Sequence, residues 1–132
     1  MIEFLYSDMG FYYRLLIFFM FGSVLGSFFN VLIGRYDNGY TFNSLMTPSR
    51  CVSCQSKIKP WFNVPIIGYF LTLGKCYSCK SEISPKYPIN EAFFAGMAAF
   101  ITFTAPVWVL DIVLFVISSA VVIAIQIKYR EK

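Results

Sequence analysis

The chain has 132 residues, of which 58% are hydrophobic and 20% aromatic while only 14% are charged, a balance outside the range of ordinary soluble domains. The absence of histidine excludes Ser-His and Cys-His nucleophile pairs, and no nucleic-acid partner is expected. Composition therefore points to a membrane protein, with the lipid bilayer as its first partner.

Taken in chain order, Leu15 to Ile33 is the first candidate span, nineteen residues without a charge and with Asn30 as its one strongly polar side chain. Gly22-x3-Gly26, paralleled by Ser23-x3-Ser27, gives this span a smooth face on which a second helix can pack closely. Asn30 lies one turn beyond Gly26, placed to hydrogen-bond across that contact. Glu3 and Asp8 stand where a secretion signal would carry basic residues, and no small-residue cleavage site follows the apolar run. The span is expected to stay as an anchor.

The stretch from Arg35 to Asn90 carries Cys51-x2-Cys54 and, twenty-one residues later, Cys76-x2-Cys79. Two such knuckles supply the four thiolates that Zn2+ takes in closed structural sites. Two disulfides or four unconnected thiols are the competing readings. A loop of 56 residues builds too small an apolar core to fold unaided, so a metal staple through Cys51, Cys54, Cys76 and Cys79 is expected. Asp37-Asn38-Gly39 signals a turn, and Pro48, Pro60 and Pro65 break any long helix. Short strands around the knuckles, as in a zinc ribbon, are the expected local structure. Phe62, Ile66, Ile67, Tyr69, Phe70 and Leu71 form an apolar patch between the knuckles. It reads as the small core of the loop, with a surface resting on the bilayer or a groove for an apolar helix as alternatives.

Ala92 to Leu110 and Ile112 to Ile127 are the second and third apolar runs, joined so closely through Pro106, Val107, Trp108 and Asp111 that a helical hairpin follows. Asp111 falls at the turn and reads as a membrane-interface residue. The fold expected is thus an α-helical polytopic membrane protein, three transmembrane helices with a four-cysteine, zinc-ribbon-like loop between the first and second. It divides into residues 1–34, 35–90 and 91–132.

Orientation follows from the basic residues. Ten of the eleven, all but Arg14, lie between Arg35 and Lys86 or in the tail at Lys128, Arg130 and Lys132, segments that three spans put on one side. The positive-inside rule makes that side cytoplasmic, with the N-terminus outside and the thiols in a reducing compartment.

Several ordered segments resemble the N-terminal half of bacterial prepilin leader peptidases. These are Gly26-Ser27-Phe28-Phe29-Asn30-Val31-Leu32-Ile33-Gly34-Arg35, Pro48-Ser49-Arg50-Cys51-x2-Cys54, Trp61-Phe62-Asn63-Val64-Pro65, Gly74-Lys75-Cys76-x2-Cys79 and Ile83-Ser84-Pro85-Lys86-Tyr87-Pro88-x2-Glu91. The resemblance covers roughly residues 22 to 91. It implies a bacterial inner-membrane enzyme that cuts the leader from type IV pilins or pseudopilins and methylates the new N-terminus with S-adenosylmethionine. Gly74 and the knuckles match positions tied to methyl transfer, and Glu91 matches an acidic position before the second span. Its carboxylate is expected to bind or deprotonate the substrate's α-amino group, or else to serve as a charge at a helix N-terminus.

The chain departs from that pattern at the protease. The family places one aspartate near the cytoplasmic end of a helix and another in a later Gly-x-Gly-Asp motif. Here Ile125-Gln126-Ile127-Lys128-Tyr129-Arg130-Glu131-Lys132 puts an amide where the first carboxylate belongs. Aspartyl hydrolysis needs two carboxylates sharing a proton. Three functions remain: N-methylation of pilin-like substrates without proteolysis, a non-catalytic zinc module that holds the leader, or one half of a split bifunctional enzyme. Pilin or pseudopilin substrates are the partners the resemblance implies, and the chain works alone, with a separate peptidase half, or with a second copy of itself.

Overall fold

The computed structural model describes residues 8–36, 47–104 and 108–130. It has three long helices: α1 (Asp8–Tyr36), α3 (Lys86–Thr104) and α4 (Trp108–Arg130). Between α1 and α3, the described part of the loop holds a 3-10 turn (Pro60–Asn63) and a short helix α2 (Ile67–Leu71). The expected turn at Asp37-Asn38-Gly39 and the Pro106-Val107 part of the hairpin connection lie outside the described residues.

α1 and α3 run antiparallel and pack closely because two glycines remove the side chains between them. A Cβ on Gly22 would fall 2.6 Å from the Phe94 carbonyl oxygen, and one on Gly26 2.8 Å from Glu91 Cα. Farther along the same seam, the Asn30 side-chain amide donates to the Tyr87 carbonyl at 3.1 Å, the cross-helix bond its position predicts. α4 closes the bundle, and Phe18, Phe94, Ala98, Ile101 and Phe115 form the core. Phe29 packs on Phe94 with ring centroids 5.1 Å apart and the ring planes tilted by 45°.

The outer faces of these helices are apolar too. Leu16, Met20 and Val24 of α1 and Ile112, Val116 and Ile117 of α4 are exposed, as residues that face lipid would be. Helices over Met9–Gly34 and Trp108–Tyr129 are long and apolar enough to cross a membrane. Three spans are not shown. α3 starts at Lys86, ahead of the apolar run, and its described part ends at Thr104.

Asp111, in the first turn of α4 beside the hairpin connection, is fully buried among the helices, and its Oδ2 sits 3.5 Å from the Nε of Arg14. The Arg14 guanidinium donates a further bond of 3.0 Å to the Thr102 carbonyl. The one basic residue outside the two basic segments thus neutralises the acid of α4 and ties together all three long helices. A charge this deep among apolar helices persists only when paired in this way.

Candidate functional site

The two knuckles are copies of one local structure. In the first, the Cys51 amide donates to Ser56 O at 3.0 Å and the Gln55 amide to Cys51 O at 2.9 Å. In the second, Cys76 donates to Ser81 O at 2.8 Å and Lys80 to Cys76 O at 3.0 Å. Gln55 and Lys80 both take φ near 60° (58° and 59°), the left-handed residue that turns each knuckle back. Single antiparallel bridges, Arg50 with Lys57 and Lys75 with Glu82, close the two turns. The strands expected around the knuckles are thus reduced to one residue pair each, because the chain reverses within six residues. The duplication is legible as Cys-x-Ser-Cys-x-Ser at Cys51–Ser56 and again at Cys76–Ser81, a repeat that thiol spacing alone passes over.

All four sulfurs lie within 4.8 Å of one another. Cys51 and Cys79 are 3.8 Å apart, and Cys54 and Cys76 4.0 Å. A tetrahedral zinc with bonds of ~2.3 Å requires sulfurs about 3.8 Å apart, so the set fits that ion. A disulfide would need the sulfurs at ~2.05 Å, and all four cysteines are free. The Cys51 thiol is lowered from 9.0 to about 6, chiefly by the Cys54 backbone N–H, then by the Ser81 hydroxyl and the Ser53 N–H. These donors favour a thiolate, the form that binds metal.

Between the knuckles and the adjacent ends of α1 and α3 lies an open cavity of about 600 Å3. Asn30 and Glu91 line it from the helices and Arg50 and Glu82 from the knuckles, with Tyr69 and Tyr87 among the other polar residues around it. A smaller space of about 100 Å3, sharing Cys51, Ile58, Phe62 and Ile83 with the first, is bordered by Lys57, Lys59 and Lys75. Tyr77 organises that space. It stacks on Phe62 with centroids 5.3 Å apart and receives the Lys59 ammonium 4.8 Å from its ring centre.

Glu91 is buried, and its Oε2 accepts the Ile66 backbone N–H at 2.7 Å. Ile66 has φ 63° and precedes α2, so the carboxylate holds the loop in a conformation that a β-branched residue seldom adopts. Glu91 is in the second turn of α3, not the first, so the helix-terminus reading of its charge loses its basis. Gly74 has φ 67°, and a Cβ there would meet the Tyr69 hydroxyl at 2.8 Å. Its amide donates to Tyr69 O at 2.9 Å, and its carbonyl accepts from Ile83 N at 2.7 Å. Gly74 thus links the exit of α2 to the second knuckle, and it does not line the cavity.

Gln126 is placed against the same helix ends. Its amide donates to Asn90 Oδ1 at 2.9 Å, and Asn90 in turn donates to Asn30 Oδ1 at 2.9 Å. One residue from each long helix joins this chain of amides. Asn90 carries no signal of this role in the sequence, where its charged neighbour Glu91 stands out and its partners lie 36 and 60 residues away.

The family model for the bacterial peptidase A24 N-terminal domain matches residues 20–105, well over half of the chain. The chain is also similar to a prepilin leader peptidase/N-methyltransferase of Neisseria gonorrhoeae, with 34% identity over 92 residues that cover 53% of this chain and 32% of the relative. It spans about a third of that relative's length. No solved structure matches.

Proposed function

Because this chain belongs to the bacterial peptidase A24 N-terminal domain family, we propose that it acts on pilin-like substrates in the inner membrane, methylating the freed N-terminal amine without cutting the leader. The observation that carries this reading is the open cavity where the thiol cluster meets the helix ends, with a buried carboxylate in its lining. A pilin whose apolar segment lies in the bilayer would present its N-terminus at that level. The basic-residue asymmetry supports a cytoplasmic loop and tail with the N-terminus outside.

Cys51, Cys54, Cys76 and Cys79 would hold one Zn2+, whose role is to fold the loop. The cavity is within the ~300–1,000 Å3 range of small-molecule sites and suits a methyl donor such as S-adenosylmethionine. That donor supplies an electrophilic methyl group. Tyr69 and Tyr87 offer ring faces for a cation or a base, and Glu82 offers a carboxylate. Glu91 would orient the substrate amine. An α-amino group with a reference pKa of ~7.7–8 is partly neutral at pH 7, so placing it contributes more than a strong base would. Gln126 has no proton to give or take in the manner of an aspartate, and no proteolytic step is assigned to it.

Two observations favour a second reading, a non-catalytic module that binds the pilin leader. Glu91 Oε2 is committed to Ile66, and Gly74 serves a turn rather than the cavity. Coexpression with a prepilin and its peptidase, followed by mass spectrometry of the mature pilin, separates the two. Methylation that depends on this chain supports the first reading. Cleavage without methylation supports the second.

A further inference from the structure

We infer that residues 60–74 lie on the bilayer surface as an interfacial segment, so that the metal-binding loop is held against the leaflet by its own apolar side chains. The patch expected to form the loop's core divides: Phe62, Ile66 and Tyr69 are half-buried, while its other three residues turn outward. Ile67, Phe70 and Leu71, one face of α2 at i, i+3 and i+4, are 57%, 66% and 61% exposed, and Trp61 and Leu73 are 59% and 85% exposed. Among these fifteen residues there is no charge, and Lys57, Lys59 and Lys75 flank them. An apolar stretch framed by lysines fits a surface where side chains enter the acyl boundary and ammonium groups meet anionic headgroups.

The position of the segment along the bundle identifies the surface as lipid. Ile66, at the start of α2, is bonded at 2.7 Å to Glu91, and Glu91 packs against Gly26 of the first membrane-crossing helix. Asn90, the neighbour of Glu91, is bonded to Gln126 of the second such helix, and charge returns to that helix two residues later at Lys128, about 3 Å of rise away. On α3 the apolar run begins at Ala92, directly after Glu91. The tether thus fixes α2 at the level where all three helices pass from apolar to polar. A second feature makes the backbone tolerant of that environment. The amides of Phe62, Ile66, Ile67, Gly68, Phe70, Thr72, Leu73 and Gly74 are all bonded within the protein. The Thr72 hydroxyl turns back onto Gly68 O and Tyr69 O. These eight are the majority of the segment's thirteen backbone donors, which lowers the cost of leaving water.

The test uses the full chain reconstituted in vesicles of phosphatidylethanolamine and phosphatidylglycerol. In a Trp108→Phe background Trp61 is the one indole, and its emission reports on the segment. Lipids brominated high on the acyl chain are expected to quench Trp61 strongly and lipids brominated near the chain end weakly, as for an apolar face buried roughly 5–10 Å into the headgroup–acyl boundary. Phe70→Asp with Leu71→Asp is expected to abolish the quenching while bound zinc stays unchanged. An indole with water-exposed emission and no bromine quenching would overturn the inference. So would protection that appears only on self-association of the chain or on addition of a pilin segment, since those results would assign the face to a second copy or to a partner helix. If the aspartate variant loses its zinc, iodide quenching of Trp61 in the unaltered loop decides instead: shielding by vesicles but not by detergent dilution supports the inference, and equal access overturns it.

Discussion

The carboxylate of Glu91 on α3 accepts the backbone N–H of Ile66 at 2.7 Å, joining the apolar helices to the metal-binding loop through one buried bond. Glu91→Ala would leave that N–H without an acceptor, a loss of about 1–3 kcal/mol for a buried donor. Glu91→Gln keeps an acceptor oxygen. Hydrogen exchange at the Ile66 amide should therefore accelerate strongly in the Ala variant and little in the Gln variant. If methyl transfer depends on the carboxylate contacting the amine, activity should fall in both. If Glu91 only seats the loop, the Gln variant should retain it.

Replacing any of Cys51, Cys54, Cys76 or Cys79 by Ser should remove the bound metal and expose the loop to protease, because metal-binding energy is folding energy in a domain this small. Elemental analysis of a freshly purified, reduced sample should find one zinc per chain in the unaltered protein and far less in each variant.

The metal should also leave at acid pH. A thiol held at about 6 contributes its thiolate above that value, and the contribution is lost as pH falls through it. Ser81 lies 3.6 Å from Cys51 Sγ and 3.1 Å from Cys79 Sγ. Ser81→Ala removes a donor that lowers the Cys51 value, so the midpoint of zinc release should move to higher pH. A chromophoric chelator read across a pH series gives that midpoint.

Arg14 and Asp111 should behave as a unit. Removing one partner leaves a buried charge uncompensated, at a cost of about 3 kcal/mol, whereas Arg14→Leu with Asp111→Leu should recover most of it. Thermal unfolding in detergent of the two single variants and the double variant measures the coupling. Independent effects that simply add would contradict the pairing.

The helix seam gives an internal contrast. Gly26→Val should separate α1 from α3 and break the Asn30–Asn90 bond, because its Cβ meets the Glu91 backbone, whereas Gly34→Val meets nothing within 4 Å and should be neutral. Midpoints of unfolding for the pair check this directly.

What the sequence makes legible are the features set by spacing. Two Cys-x2-Cys pairs specify the sulfur cluster because the knuckle is a local turn, and Gly22-x3-Gly26 specifies a close helix contact because glycine at that spacing leaves one bare face. What depends on tertiary partners is not legible. Asp111 reads as interfacial from its place beside a turn, but nothing near it in the chain announces its buried pairing with Arg14, ninety-seven positions earlier. The apolar patch reads as core from its composition, yet the loop is held by thiols, Glu91 and the Phe62–Tyr77 stack, leaving Phe70 and Leu71 outside.

Methyl transfer by the zinc-loaded chain tests the proposed function at its chemistry. The purified protein in lipid, given a precleaved pilin and labelled S-adenosylmethionine, should place one methyl group on the pilin's N-terminal amine, resolved by mass spectrometry of the N-terminal peptide. The Cys51→Ser variant should place none. A chain with a full complement of zinc that binds the pilin and transfers no label would rule out methyl transfer and leave the leader-binding module in its place.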